Sequence, residues 1–372
     1  MRKFLRRFFL LLPIPLLVYS ISIYVDPANI VRRNYEDGIV NYLVDGKNVT
    51  GIATHNYDDR LLQKLFISKM KMAPEVVALG SSKILSLSGD MVGTSSFINN
   101  AVVGATLEDY LGIYELYDSK RVKIKCVLID LGPHLLNDNH RQIRWETLGP
   151  QVSDMLEKIG MPSGSKDEVV TRSEFSRFQE LLSIVYFRQS LNQLLSEGPV
   201  TKYRPTDTWV NSEFTKHYDG SITYDSKFRQ LSGVAKKRRV EGKEMIYYSL
   251  KDYPSLSQRY RMMLTQFVQY LQKNDVQVVF YLSPMHPFIY NNFVVKKSNL
   301  RIVLEAERFY RTLGASTGVL VVGGYDPSKF EFKDEDFYDG FHCKEGAIVR
   351  VLESGVASGG GMALRPKRQP TI

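Results

Sequence analysis

Glu75-Val76-Val77-Ala78-Leu79-Gly80-Ser81-Ser82 reads as a short buried strand that stops at a glycine and delivers two hydroxyl side chains. Four apolar residues in succession, without polar alternation, suit a strand covered on both faces. Gly80 permits a sharp turn, so a serine can stand at the start of the next helix with backbone amides beside it. The same serine would also serve as an ordinary helix cap.

The pattern repeats outward from this stretch. Ser96 to Ala101 reads as a second strand leading into Gly104, and Lys123 to Leu131 as a third. Val276 to Leu282 and Gly318 to Val322 supply a fourth and a fifth. Helical spacing of apolar residues runs from Asp58 to Met70, Thr106 to Tyr117, Leu256 to Lys273 and Leu300 to Leu313, with a last helix from about Glu345. Apolar strands alternating with amphipathic helices predict an α/β fold, a doubly wound parallel sheet of about five strands. Residues 74–358 form that domain. Residues 138–255 interrupt it with a largely helical insertion, including a pattern from Glu174 to Leu195, expected to act as a lid or binding wall. Residues 26–73 read as a mixed, irregular linker and a leading helix, and residues 359–372 as a disordered tail.

The N-terminus carries its own signal. Arg2, Lys3, Arg6 and Arg7 precede a charge-free apolar stretch from Phe8 to Val25. Its length is close to the roughly 20 residues that span a bilayer, although Pro13 and Pro15 would kink such a helix. The flanking cations predict a cytoplasmic N-terminus and an extracytoplasmic domain. Without a small-x-small cleavage site before Asp26-Pro27, an uncleaved single-pass anchor over residues 1–25 is preferred to a cleaved signal peptide.

Composition excludes some classes. The 372 residues carry a formal charge of +9 but show no nucleic-acid-binding module. Lys236-Lys237-Arg238-Arg239 is the one internal basic run of note. Cys126 and Cys343 have no metal-type spacing, and no HExxH or CxxC pattern occurs, so neither a metal nor another cofactor is expected. Whether the two cysteines pair is left open by their spacing.

In parallel sheets, active sites gather beyond the carboxyl ends of strands. Ser82 and Asn137 fall just past such ends, and Asp339-Gly340-Phe341-His342 lies beyond the fifth strand. A hydroxyl, a histidine base and an aspartate to orient it are the parts of a nucleophilic triad. The plain alternative is a surface histidine in a loop. His134 and His286, after the third and fourth strands, are lesser candidates for lining a pocket, and Asp334-Glu335-Asp336 reads as a solvated acidic loop.

Taken in order, these motifs resemble the SGNH (GDSL-like) hydrolase superfamily, and more narrowly its membrane-anchored, envelope-modifying branch. That branch includes the teichoic acid D-alanine transfer protein and the alginate O-acetylation proteins. The resemblance covers residues 74 to about 350, without the insertion. It implies that Ser82, third residue of the Gly80-Ser81-Ser82 block, is the nucleophile, with Ser81 the lesser candidate. It implies His342 as base and Asp339 as its orienting group, with Gly346 as the trailing glycine. Gly104 and Asn137 would complete the oxyanion site, although Asn137 departs from the tight Gly-x-Asn spacing of the family. The activity implied is a serine O-acyltransferase or esterase acting on a cell-envelope polysaccharide at the bacterial inner membrane, with a polytopic membrane acyltransferase as partner. A catalytically idle envelope scaffold or polymer-binding protein of the same fold is the alternative.

Overall fold

The computed structural model describes residues 13–26, 31, 34–52, 57–140, 142–162, 181, 183–196, 203–208, 210, 212–241, 250, 252–295 and 301–357. The tail and the first part of the Glu174 to Leu195 pattern lie outside these residues.

The protein is an α/β protein built on two sheets. Its strands are β1 (Asn48–Thr50), β2 (Val76–Leu79), β3 (Phe97–Asn99), β4 (Cys126–Asp130), β5 (Arg204–Thr206), β6 (Thr215–Lys216), β7 (Ile222–Thr223), β8 (Gln277–Leu282) and β9 (Leu320–Gly323). The main sheet has the order β3-β2-β4-β8-β9, and every neighbouring pair is parallel. The chain leaves β2 to form β3 on one side and returns to form β4 on the other. The boundary between β2 and β4 is therefore the switch point of the sheet, the place beside which ligands gather in open α/β sheets.

Side-chain alternation explains why the strands are apolar throughout. Val77, Leu79, Val127, Ile129, Phe280 and Leu282 enter one core, while Val76, Ala78, Cys126, Leu128, Val279 and Val322 enter the other. Ten helices are used below: α1 (Pro13–Val25), α2 (Tyr35–Val44), α3 (Asp59–Lys69), α4 (Leu107–Asp118), α5 (Gly149–Lys158), α6 (Ile184–Ser196), α7 (Gly233–Glu241), α8 (Gln258–Lys273), α9 (Ile302–Thr317) and α10 (Glu345–Ala357). The first core is closed by α4, α8 and α9 through residues such as Leu111, Phe267 and Tyr310. The second is closed by Ile348, Val351 and Leu352 of α10. Each fully buried Val or Leu contributes about 1.5–3 kcal/mol, so both faces of the sheet are held.

Two regions differ from the sequence reading. Residues 34–52 are ordered rather than irregular: α2 buries Tyr35, Ile39, Val40 and Leu43 against Leu62 and Phe66 of α3. The insertion also contributes strands as well as helices. β5, β6 and β7 join β1 in an antiparallel sheet of order β5-β1-β6-β7. The leading segment and the insertion thus fold as one small sheet. Strands of two or three residues carry too little periodicity to be read without their partners.

Among the described residues, no helix is long and apolar enough to cross a membrane. The stretch read as an anchor is represented there only by α1, because residues 1–12 lie outside the description.

Candidate active site

The turn after β2 is built by close packing. A Cβ on Gly80 would lie 2.2 Å from Ile84 Cδ1 and 2.9 Å from Asp130 Cβ, so only glycine fits. The backbone N–H and the hydroxyl of Ser81 both donate to Asp130 Oδ2, at 3.2 and 2.7 Å. Asp130 is fully buried at the end of β4. Ser81 is thereby committed to the neighbouring strand, and Ser82 is left to point elsewhere. Ser82 opens a single 3₁₀ turn, Ser82–Ile84, where the sequence suggested a longer helix. Asn99 Nδ2 donates to the carbonyls of Ile84 (2.6 Å) and Leu87 (2.8 Å), which fixes the loop that follows.

The loop before α10 supplies the second half. Phe337 and Cys343 form an antiparallel bridge, and Tyr338 N–H donates to His342 O at 2.8 Å. Inside this tight bend Asp339 is fully buried, and its Oδ1 accepts the N–H groups of Phe341 (2.9 Å) and His342 (3.1 Å). The same oxygen lies 2.9 Å from His342 Nδ1. His342 Nε2 lies 3.0 Å from Ser82 Oγ. With Nδ1–H donated to the carboxylate, Nε2 is left unprotonated and can accept the Ser82 proton. Residues 260 positions apart are thus joined in one hydrogen-bonded series, Ser82–His342–Asp339.

The other predicted residues are placed as follows. Gly104 adopts a left-handed backbone (φ +62°), and its carbonyl accepts from Gln142 Nε2 at 2.7 Å. Arg60 steadies the same loop by donating to Val103 O at 2.9 Å. Asn137 is buried at the end of the Pro133–Leu136 turn, where its Oδ1 accepts Asn139 N–H at 3.0 Å. His134 Nε2 bonds Ala105 O at 3.1 Å, tying the loop after β4 to the loop after β3. His286 backs the Asp339–His342 bend, its backbone N–H donating to Gly340 O at 3.3 Å; its Nε2 is 2.8 Å from Asp334 Oδ1 and it lines a cavity of about 340 Å³ with Lys236, Lys237, Val240 and Phe288. The acidic run is exposed at Asp334 and Glu335, as read, and Asp334 also ties His286 to Lys236 of α7, at 2.7 Å from its ammonium.

Several site residues were not anticipated. Tyr224 and Phe228, from the insertion, each place a ring centroid 6.3 Å from that of His342. Arg239 of α7 stacks 4.4 Å above Phe228, and its Nε lies 3.7 Å from Asp339 Oδ2. The insertion thus forms a wall of two aromatic rings and one cation over the histidine. Lys83, beside Ser82, is held below the usual ammonium range by burial, opposed by the charge of Asp130. A Lys directly after the candidate serine and an Asp closing an apolar strand were visible signals, but their partners are distant in sequence. Among the described residues no group of three or more His, Cys, Asp or Glu side chains is arranged to hold a metal ion. Both cysteines are free thiols, and burial pushes each up to about 12.

Burial, with Lys83 nearby, lowers His134 from 6.5 to about 3. The folded value lies below the unfolded one, so the unfolded chain binds the extra proton. This contribution to stability is full above about pH 6.5 and is lost as pH falls from there toward 3. The midpoint of urea unfolding should drop across that window, and His134→Gln should flatten the drop. An unchanged slope in the variant would show that His134 does not titrate differently on folding. Part of the slope should remain, since burial also lowers His217 and His286.

No protein-family model matches the chain, and no curated protein is significantly similar to it.

Proposed function

We propose that the protein is a serine O-acyltransferase or esterase of SGNH type, working through an acyl-enzyme on Ser82. The observation that carries this reading is the Ser82–His342–Asp339 series, with an unbroken run of contacts at 3.0 and 2.9 Å. Ser82 Oγ attacks the acyl carbonyl while its proton passes to His342 Nε2. The tetrahedral intermediate collapses, and the leaving alcohol takes that proton, leaving the acyl ester on Ser82. An acceptor hydroxyl, or water, then gives its proton to His342 and attacks the ester, and His342 returns that proton to Ser82 Oγ as the acyl bond to it breaks. Asp339 holds the imidazole and stabilises its charged form. The Ser82 and Gly104 amides and the Asn137 side chain are the proposed oxyanion donors. No step calls for a cofactor.

The wall of Tyr224, Phe228 and Arg239 supports transfer over hydrolysis, because covering the acyl-enzyme slows attack by water. The apolar N-terminal stretch supports a location at the bacterial inner membrane, with the α/β domain extracytoplasmic and an envelope polysaccharide as acceptor. A polytopic membrane acyltransferase would then be the acyl donor's source.

The test is active-site titration of the full-length protein in detergent with a fluorophosphonate, followed by peptide mass spectrometry. The expected adduct sits on Ser82, and the protein also turns over p-nitrophenyl acetate. Labelling on another residue, or neither labelling nor turnover, would count against the proposal and favour a non-catalytic scaffold.

A further inference from the structure

α6 turns large apolar side chains outward. It buries Tyr186, Ser190 and Gln193, while Ile184, Val185 and Leu195 are 81%, 68% and 78% exposed, on a face shared with the exposed Arg188, Gln189 and Asn192. A helix on a water-soluble domain does the reverse, turning its apolar stripe inward. α6 packs against α1, which buries Ser22 and Val25 and likewise exposes Ile14 and Leu17. The pair is fastened at one end by Tyr186 Oη, which donates to the buried Asp26 Oδ1 at 2.8 Å. Polar contacts between helices and apolar side chains facing outward are the arrangement expected in lipid, where the surroundings are as apolar as leucine.

The occupant of this outer surface is indicated by its continuity and charge. α1 continues the charge-free stretch that begins at Phe8, behind Arg2, Lys3, Arg6 and Arg7. Neither α1 nor α6 contains an acidic residue, and Arg188 is the one charge on α6. An exposed Arg beside apolar side chains suits a helix at a headgroup boundary, with its stem in the acyl region. At 13 residues α6 is about 20 Å long, too short to span a core of about 30 Å.

We propose that α6 is a second membrane contact of this chain, lying in the leaflet nearest the α/β domain beside α1. The proposal rests on the reading of the Phe8 to Val25 stretch as an anchor. Because α6 belongs to the insertion that also covers His342, it would hold that wall at a set height above the lipid.

The two native thiols are buried and resist ionisation, so a cysteine placed at the surface labels selectively. Full-length protein carrying Leu17→Cys, Val185→Cys, Leu195→Cys or Met72→Cys is labelled with an environment-sensitive fluorophore. It is then reconstituted into phosphatidylglycerol–phosphatidylethanolamine vesicles with a doxyl-lipid quencher. The labels at 17, 185 and 195 should each lose about half of their emission or more, whereas the label at the exposed Met72 should lose little. Quenching at 17 alone would overturn the second contact and leave the anchor standing. Quenching at none of the four would remove the anchor reading together with the proposal. Equal quenching at 72 would mean indiscriminate adsorption, and burial of 185 and 195 in cell membranes but not in vesicles would mean a protein partner. Either result would overturn a lipid contact.

Discussion

Ser82→Ala should remove at least about a thousandfold of the wild-type kcat toward p-nitrophenyl acetate, with little change in KM. The hydroxyl is the proposed bond-forming group, so the loss belongs to the chemical step and not to binding. His342→Ala should cost about as much, and the double variant little more than either, because members of a triad act as a unit. Ser81→Ala provides the contrast. Ser81 is occupied by Asp130 and does not touch His342, so its removal should loosen the turn and lower activity far less. Steady-state kinetics on the wild type and the four variants is the measurement. Turnover in Ser82→Ala at wild-type rate, or additive losses in the double variant, would contradict the assigned roles.

Asp109→Ala should destabilise the fold by about 3 kcal/mol, because it leaves a buried guanidinium with Asp59, at 2.7 Å, as its remaining carboxylate. Arg60 and Asp109 have fully buried side chains, and they form two parallel hydrogen bonds of 2.9 and 2.8 Å. The Asp109 charge, with that of Asp59, holds the guanidinium above its ordinary range despite the burial. Asp109 Oδ2 also accepts Thr106 N–H at 2.8 Å, so the substitution uncaps α4 as well. The loop through Val103 and Gly104 hangs on Arg60, so the proposed ester turnover should fall with stability. Replacing both partners, Arg60→Met with Asp109→Leu, should cost less than the single change, since the fully buried charges are then both gone and Asp59 is partly exposed. Urea unfolding of the three proteins decides it. A single-variant loss under about 1 kcal/mol would show that the pair is not desolvated as described.

The central architecture was legible because it is written locally. The strand before Gly80, the bend around Asp339 and the helix after Glu345 each depend on neighbours within a few residues. What escaped reading depends on distant partners. Nothing near Ser81 announces that Asp130, 49 positions away, will take its hydroxyl. Nothing near Tyr224, Phe228 or Arg239 announces the histidine that they cover. α2 is a different kind of omission: Tyr35, Ile39, Val40 and Leu43 already show helical spacing, and the signal was lost among polar neighbours. The acidic run at 334–336 was read by composition alone, yet Asp334 links α7 to His286.

The small sheet has a consequence for the order in which the protein assembles. β1 is the first strand made, and its ladder partners come much later. The Thr50 hydroxyl waits for Glu213, 163 residues downstream, to form its 2.9 Å hydrogen bond. Closing so long a loop is slow, so β1 must stay unpaired while the chain emerges. Gly220 is the seam: its left-handed turn lies against Asn99, where a Cβ would meet the carbonyl oxygen at 2.2 Å. The cover over His342 is therefore set late, once the strands flanking β1 have arrived, and a chain that stops short of them leaves the candidate site bare.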